Sequence, residues 1–295
     1  MALDLEQQII NNLKFFFDLR TLNAGLYFNV ASGQPDFAGN DQSALIRIFR
    51  DPDFDDDGRV YQSKYKNWVY EEDVVPPSGF ALPTIASGVF VNGVFRLRTD
   101  LTFGHSIDYP NGRIIFDDNS AVASTDIVQA EFSVKRVQTE EINKDIIPLI
   151  NDLIISNPSI ESPQAVPSGL ALPAIFIERV RGSSAGLQLG GGKITTRELN
   201  FHILAKHSND LKHISFLLSE LEDRALKMVD WNNAPFPLDD VGDVTASYVP
   251  FSQLQDSFFL NGLYFVRMEP RTFPTDIPVE IEIIEGEIEI RRRNA

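Results

Sequence analysis

Apolar residues recur at two different periods along this chain, and each period predicts a different kind of element. Over residues 4–20, Leu5, Ile9, Leu13 and Phe16 fall three or four apart, and Asp4 is placed to cap the start. That spacing predicts a helix. Phe15-Phe16-Phe17 makes its C-terminal end apolar on several sides, as expected of a helix that packs on more than one partner. Beyond it the chain turns strand-like. Leu45–Arg50 is a strand candidate, and aromatic residues gather around Trp68 between Tyr61 and Tyr70. Three Asn-Gly steps stand between apolar runs, at 92–93, 111–112 and 261–262. Asn-Gly adopts the positive φ of a type I′ turn at little cost, so each predicts a hairpin. Val128, Ala130, Phe132 and Val134 alternate with polar residues, as in a half-buried strand.

Near residue 139 the period lengthens again. Ile142, Ile146, Leu149, Ile150 and Leu153 predict a helix over 139–156, which Asn157-Pro158 ends. Strand signals return at Ile175-Phe176-Ile177 and at Leu199, Phe201, Ile203 and Ala205, separated by the glycine-rich turn 186–192. Ser208-Asn209 opens a second amphipathic helix, with Leu211, Ile214, Leu218, Leu221, Ala225 and Met228 on one stripe. At the C-terminus, Val279, Ile281, Ile283, Ile288 and Ile290 alternate with glutamates around Glu285-Gly286. This segment predicts either a hairpin or one long strand, with one face buried. The pattern as a whole predicts an α+β fold, mostly antiparallel with a few amphipathic helices. We expect two domains, 1–138 and 139–295.

One phrase occurs twice. Pro77-Ser78-Gly79-Phe80-Ala81-Leu82-Pro83-Thr84-Ile85 returns ninety positions later as Pro167-Ser168-Gly169-Leu170-Ala171-Leu172-Pro173-Ala174-Ile175, with seven of nine positions identical. An apolar stretch rich in Pro and Gly that leads into strands is suited to packing on a neighbour. Phe80, Leu82, Leu170 and Leu172 are therefore candidate contacts, and so are Ile281, Ile283, Ile288 and Ile290 of the C-terminal segment.

Composition narrows the chemistry. The 295 residues include no cysteine, which rules out a disulfide scaffold, thiol catalysis and Cys-ligated zinc. No apolar run approaches a membrane span, and the first residues lack the basic n-region of a signal peptide. The formal net charge is −16, the wrong sign for broad binding to phosphates. Asp53, Asp55 and Asp57, followed by Gly58, match the start of a calcium loop. The twelfth position, which should be a bidentate Glu, is Lys64, so a solvated acidic loop is expected. Gly190-Gly191-Gly192-Lys193 lacks the earlier Gly and the following Ser or Thr of a phosphate loop. The four histidines form no H-E-x-x-H motif, and no G-x-S-x-G elbow is present. We expect no enzyme, no cofactor and no metal.

Two segments resemble virion proteins of tailed bacteriophages. Asn67-Trp68-Val69-Tyr70-Glu71, Ser87–Gly93 and Asp108–Phe116 resemble strand-rich neck proteins. Ala171–Ile177, Gly186–Gly192, Phe201–Ala205 and the helix from Asn209 are similar to tail-terminator and tail-completion proteins. The resemblance implies a ring-forming structural protein at the head–tail junction, a hexamer, meeting other neck and tail proteins. It implies a protein of the virion, assembled in the host cytoplasm, with DNA passing through the lumen unbound. Acidic charge suits such a channel because like charges prevent adhesion. The alternatives are a baseplate or tail-tube component and, from another class, a carbohydrate-binding or hydrolytic module around Trp68.

Overall fold

The structure is a computed structural model that describes residues 3–36, 38–49, 58–142, 172–186, 193–273 and 280–292. It is mixed α+β and mostly antiparallel, with three helices among the described residues. The chain divides into two compact units: residues 1–24, 136–234 and 251–295 form unit 1, and residues 25–135 and 235–250 form unit 2. The expected boundary near 139 lies close to the change at 135–136. The opening helix, however, belongs to the C-terminal unit, and a late loop belongs to the N-terminal one.

Unit 1 is built on a six-stranded sheet. Its strands are β10 (Gln138–Ile142), β11 (Ala174–Gly186), β12 (Lys193–Ala205), β13 (Ala225–Val229), β14 (Phe259–Phe273) and β15 (Glu280–Arg292). They lie in the order β10-β11-β12-β15-β14-β13, and only the β10–β11 pair is parallel. Helices α1 (Leu5–Asn23) and α2 (Ser208–Ser219) cover one face, and the short α3 (Phe251–Ser257) packs by β13. Asp4 caps α1 by accepting the Gln7 N–H at 2.8 Å.

The three consecutive phenylalanines of α1 each meet a different partner. Phe15 packs on Trp231 (4.7 Å between ring centroids) and Phe251, Phe16 on Phe265, and Phe17 edge-on against Phe201 at 5.3 Å. Below them Leu199, Phe201, Ile203, Ile284, Ile288 and Ile290 form the buried sheet surface. Gly286 belongs to this layer: a Cβ there would stand 2.5 Å from the Phe201 ring, so the phenylalanine occupies the space a side chain would need. Ala174, Phe176, His202, Leu204 and Ile281, of the opposite parity, are also buried.

Sequence and structure part at several points. Of the two forms expected for the C-terminal segment, the structure has the one long strand, β15, paired along its whole length with β12 and along much of it with β14, and not the hairpin. Asn261-Gly262 makes no hairpin, because it lies inside β14, where pairing to β13 keeps the backbone extended. The stripe assigned to a long second helix breaks at Ser219, and Ala225 and Met228 belong to β13. Residues 139–142 are strand rather than helix, since β11 offers them a parallel partner. The rest of that expected helix, and the turn 187–192, lie outside the described residues.

Unit 2 holds three small antiparallel sheets. The first joins β1 (Tyr27–Val30) to β9 (Phe132–Lys135). The second orders β2 (Ile46–Ile48), β3 (Val60–Gln62), β7 (Arg113–Phe116) and β6 (His105–Asp108). The third is β5 (Val94–Leu97), β4 (Gly88–Val91) and β8 (Val128–Gln129). Trp68 stacks on Phe132 at 3.9 Å in the middle of this unit, and its indole N–H donates to the Tyr65 carbonyl. Asn92 and Gly93, at φ 51° and 78°, form the expected two-residue turn between β4 and β5. The β6–β7 hairpin closes through four residues instead, with only Gly112 of its Asn-Gly step at positive φ.

One side chain ties α1 to the sheet edge. Asn12 is fully buried; its Nδ2 donates to the Val229 carbonyl at 2.9 Å, and its Oδ1 accepts the Val229 N–H at 2.7 Å. It thus supplies what a neighbouring strand would. Asn12→Ala leaves a buried N–H and C=O without partners, and should lower the unfolding free energy by about 2–4 kcal/mol in denaturant titrations.

Candidate interaction surfaces

The third sheet of unit 2 is apolar on both faces. Val89, Val91 and Val128 point one way and are buried. Alternation puts Phe90, Phe95, Leu97 and Ile127 on the other face. There Phe95 is 43% exposed, Leu97 56% and Ile127 63%. An antiparallel sheet with one solvated face ordinarily makes that face polar. Phe90 and Phe95 pair across the strands at 5.1 Å, and the Phe95 ring lies over Gly88, where a Cβ would meet it at 2.9 Å. Leu101, in the turn after β5, is also exposed. Surfaces of this kind mark interaction sites.

The first copy of the repeated phrase lies in the same unit and is held in place by polar contacts. Tyr27 Oη donates to the Ala81 carbonyl, and Asn29 Nδ2 to the Leu82 carbonyl. The Ser133 N–H donates to the Thr84 carbonyl, and Ser133 Oγ accepts the Thr84 N–H. Phe80 lies against Gly25, which sits at φ 80°. These anchors fix the backbone while leaving Phe80 56% and Leu82 67% exposed.

The other candidate contacts fare differently. Leu170 lies outside the described residues, and Leu172 is half-buried. Ile281, Ile288 and Ile290 are buried in the chain's own sheet and Ile283 is half-buried, because β15 is an interior strand. The first three are core residues in this structure rather than surface contacts.

The charged groups of the interior brace the scaffold. Lys135 pairs with Glu71 and sits over the Tyr70 ring, both ends being almost fully buried. Asp108 accepts from Arg113 and Asn111 at the β6–β7 turn. Asp243 accepts from Arg98, the Ile107 N–H and the Val244 N–H, fixing the loop 235–250 to β6. His202 Nε2 lies 2.7 Å from Glu178 across the β11–β12 pair. Among the described residues, no group of three or more His, Asp or Glu is arranged to hold a metal. Asp53, Asp55 and Asp57 lie outside them. A cleft of about 250 Å³ between α1 and α2 is lined by Phe16, Leu19, Arg20, Leu217 and Glu220, where Arg20 already binds the Leu217 carbonyl and Glu220. Trp68, Tyr61 and Tyr109 are buried, so this cluster offers no open stacking platform. No helix among the described residues is long and apolar enough to cross a membrane.

No family model matches the chain, and no curated protein matches it. The β5 surface has a signal in the sequence that the hairpin expectation does not use. From Val89 to Leu97 both parities are apolar, which a half-solvated strand pair does not need.

Two expectations follow. Leu101→Ser and Ile127→Thr should each change folding stability by no more than about 0.5 kcal/mol, as for other exposed positions. Ile288→Ala should cost about 2–5 kcal/mol. Denaturant midpoints of the three variants check the assignment of surface and core. The second expectation concerns His105. Burial pushes its imidazole below the ordinary value, and the ring nitrogen Nδ1 makes a 2.8 Å bond to the Phe103 carbonyl. The unfolded chain therefore binds this proton more readily than the folded one. Its contribution to stability is complete above about pH 6.5 and declines as pH falls below that value. Unfolding measured across this range should show the decline, and His105→Gln should flatten it.

Proposed function

We propose that the chain is a structural subunit of a tailed-phage virion, a tail-terminator-like ring protein of the head–tail neck. The observation that carries this reading is the apolar solvent face of the β5-β4-β8 sheet. Phe95, Leu97 and Ile127 stand on a fixed pleated surface, and a subunit of a permanent assembly has a partner to cover such a face. The anchored Phe80–Leu82 segment adds a second fixed apolar surface in the same unit. The sheet of unit 1 with helices on one face suits the terminator resemblance. The net charge of −16 suits a lumen along which DNA slides without adhering.

Reconstruction of virions that contain this protein tests the reading. The expected result is a closed ring of copies at the junction of head and tail, six in number, in which the β5 face is covered. Copies in the baseplate or along the tube would keep the structural role and overturn the position. Copies that are isolated from one another, or absence of the chain from the virion, would overturn the reading itself.

A further inference from the structure

Unit 2 guards its strand edges unequally. An open edge offers unpaired N–H and C=O groups to another chain, and proteins blunt edges that must stay single. The outer edge of β8 is taken by residues 43–45: the Leu45 N–H donates to the Val128 carbonyl, and the Ala130 N–H to the Ser43 carbonyl. The outer edge of β9 is taken by residues 67–69, with the Val69 N–H on the Ser133 carbonyl and the Lys135 N–H on the Asn67 carbonyl. The outer edge of β6 meets the loop 235–250, where the Ile107 N–H donates to Asp243 at 3.1 Å. Just beyond it, the Tyr109 N–H donates to the Gly242 carbonyl.

The outer edge of β5 has no such cover. In the hairpin closed by Asn92-Gly93, Val94 bonds back to Val91 and Arg96 to Val89, so the N–H and C=O of Phe95 and the N–H of Leu97 point outward. Among the described residues none of these three groups has a hydrogen-bond partner. The chain on either side, residues 58–142, is described throughout. The Leu97 carbonyl accepts the Asp100 N–H, which begins the turn that ends the strand. The strand contains no lysine, no proline and no bulge, and Val94, Phe95 and Leu97 are exposed along it.

Charge narrows what can pair there. The chain carries a net −16, so two copies repel over most of their surface. The hairpin 88–99 is an exception, because it holds no acidic residue. Its two cations are already answered, Arg96 by Asp100 at 3.6 Å and Arg98 by Asp243. A strongly charged strand gains nothing from this edge. A strand that is itself neutral and apolar gains most, and β5 is such a strand.

We propose that β5 of one copy pairs antiparallel with β5 of a second copy, about a two-fold axis at Phe95. Phe95 then exchanges two hydrogen bonds with its counterpart, and the two rings lie side by side on the apolar face. Leu97 falls opposite Gly93, whose lack of a side chain leaves room for it. Arg96 falls opposite Val94. Moving the axis to Arg96 would set two guanidinium groups directly against each other, which disfavours that register. The pairing joins two three-stranded sheets into one of six strands, in the order β8-β4-β5-β5-β4-β8. A two-fold contact uses the same patch on both copies and closes on itself. The inference therefore goes beyond the ring reading: it builds pairs, and a ring needs a further contact.

Sedimentation and light scattering of the full-length chain across a range of concentrations read the pair directly. A dimer is expected, with its share rising as concentration rises. Phe95→Pro removes an N–H that the chain's own ladder does not use. Leu97→Lys puts a charge on the edge. Each is expected to weaken dimerisation by about tenfold or more, with the folded circular dichroism signal retained. The absence of native cysteine supplies a second readout that does not depend on those variants folding. Facing Cα atoms in such a pair stand about 5.5 Å apart, within reach of a disulfide. On mild oxidation, Phe95→Cys chains are expected to link to one another. Ile127→Cys chains, with the thiol on the same apolar face but two strands from the axis, are expected not to. A monomer at every concentration, a dimer indifferent to both substitutions, or equal linkage at positions 95 and 127 would overturn the β5 pair. Each of these results leaves the ring reading to virion reconstruction, and a virion that lacks the chain would overturn that reading while leaving the pair.

Discussion

The pairing of β15 on both its edges is the interaction on which unit 1 depends. This strand is the last described element of the chain, yet it lies between β12 and β14. Without it, the sheet separates into β10-β11-β12 and β13-β14, and each piece carries a raw interior edge. Ile284, Ile288 and Ile290 bury against the helix layer only from this central position, and Gly286 leaves room there for Phe201. The opening helix is equally committed. Phe15, Phe16 and Phe17 reach Trp231, Phe265 and Phe201, all more than two hundred positions or nearly so along the chain. The two ends of the sequence therefore fold as one body, with unit 2 inserted between them. Non-local pairing of this kind is slow to form, and it is the physical reason the domain division is discontinuous.

Much of the local structure was legible because short-range chemistry decided it. Asp4 before Leu5, Ile9 and Leu13 specifies a capped helix regardless of context, and Asn92-Gly93 specifies a type I′ turn because both residues accept positive φ. The failures share a cause. Asn261-Gly262 has the same composition as Asn92-Gly93, but β13 lies alongside and holds it extended. Residues 139–142 have helical spacing, but β11 presents an edge to them. Ala225 and Met228 continue the stripe of α2 in register, yet they sit in a strand beyond the turn around Asp223, which adopts φ 61°. In each case a partner distant in sequence outweighed a local preference worth only tenths of a kcal/mol per residue.

The candidate contacts divide along the same line. Phe80 and Leu82 were found from a local property, an apolar phrase in a Pro- and Gly-rich segment, and they are exposed on an anchored backbone. The alternation of the C-terminal isoleucines fits a strand added to a neighbour's sheet as well as one that completes the chain's own. Their burial reflects strand order, which no local pattern encodes. Conversely, the apolar face at Phe95 and Leu97 shares its residues with the Asn92-Gly93 hairpin signal, which accounts for the turn and not for the second apolar parity.

A folded domain must satisfy or expose every backbone polar group, and unit 1 does so by three means: a helix side chain at Val229, a proline at position 270, and a short parallel strand over the proximal half of β11. The cations beside β11 serve the same fold: Arg197 pairs with Glu6 of α1 and donates to the Ser183 and Thr196 carbonyls, and Arg179 pairs with Glu141 of β10. Where a glycine leaves the backbone bare, a side chain of the same unit lies across it, Phe201 at Gly286 and Arg197 at Gly182, so space given up by one strand is filled by its neighbour rather than left as a void.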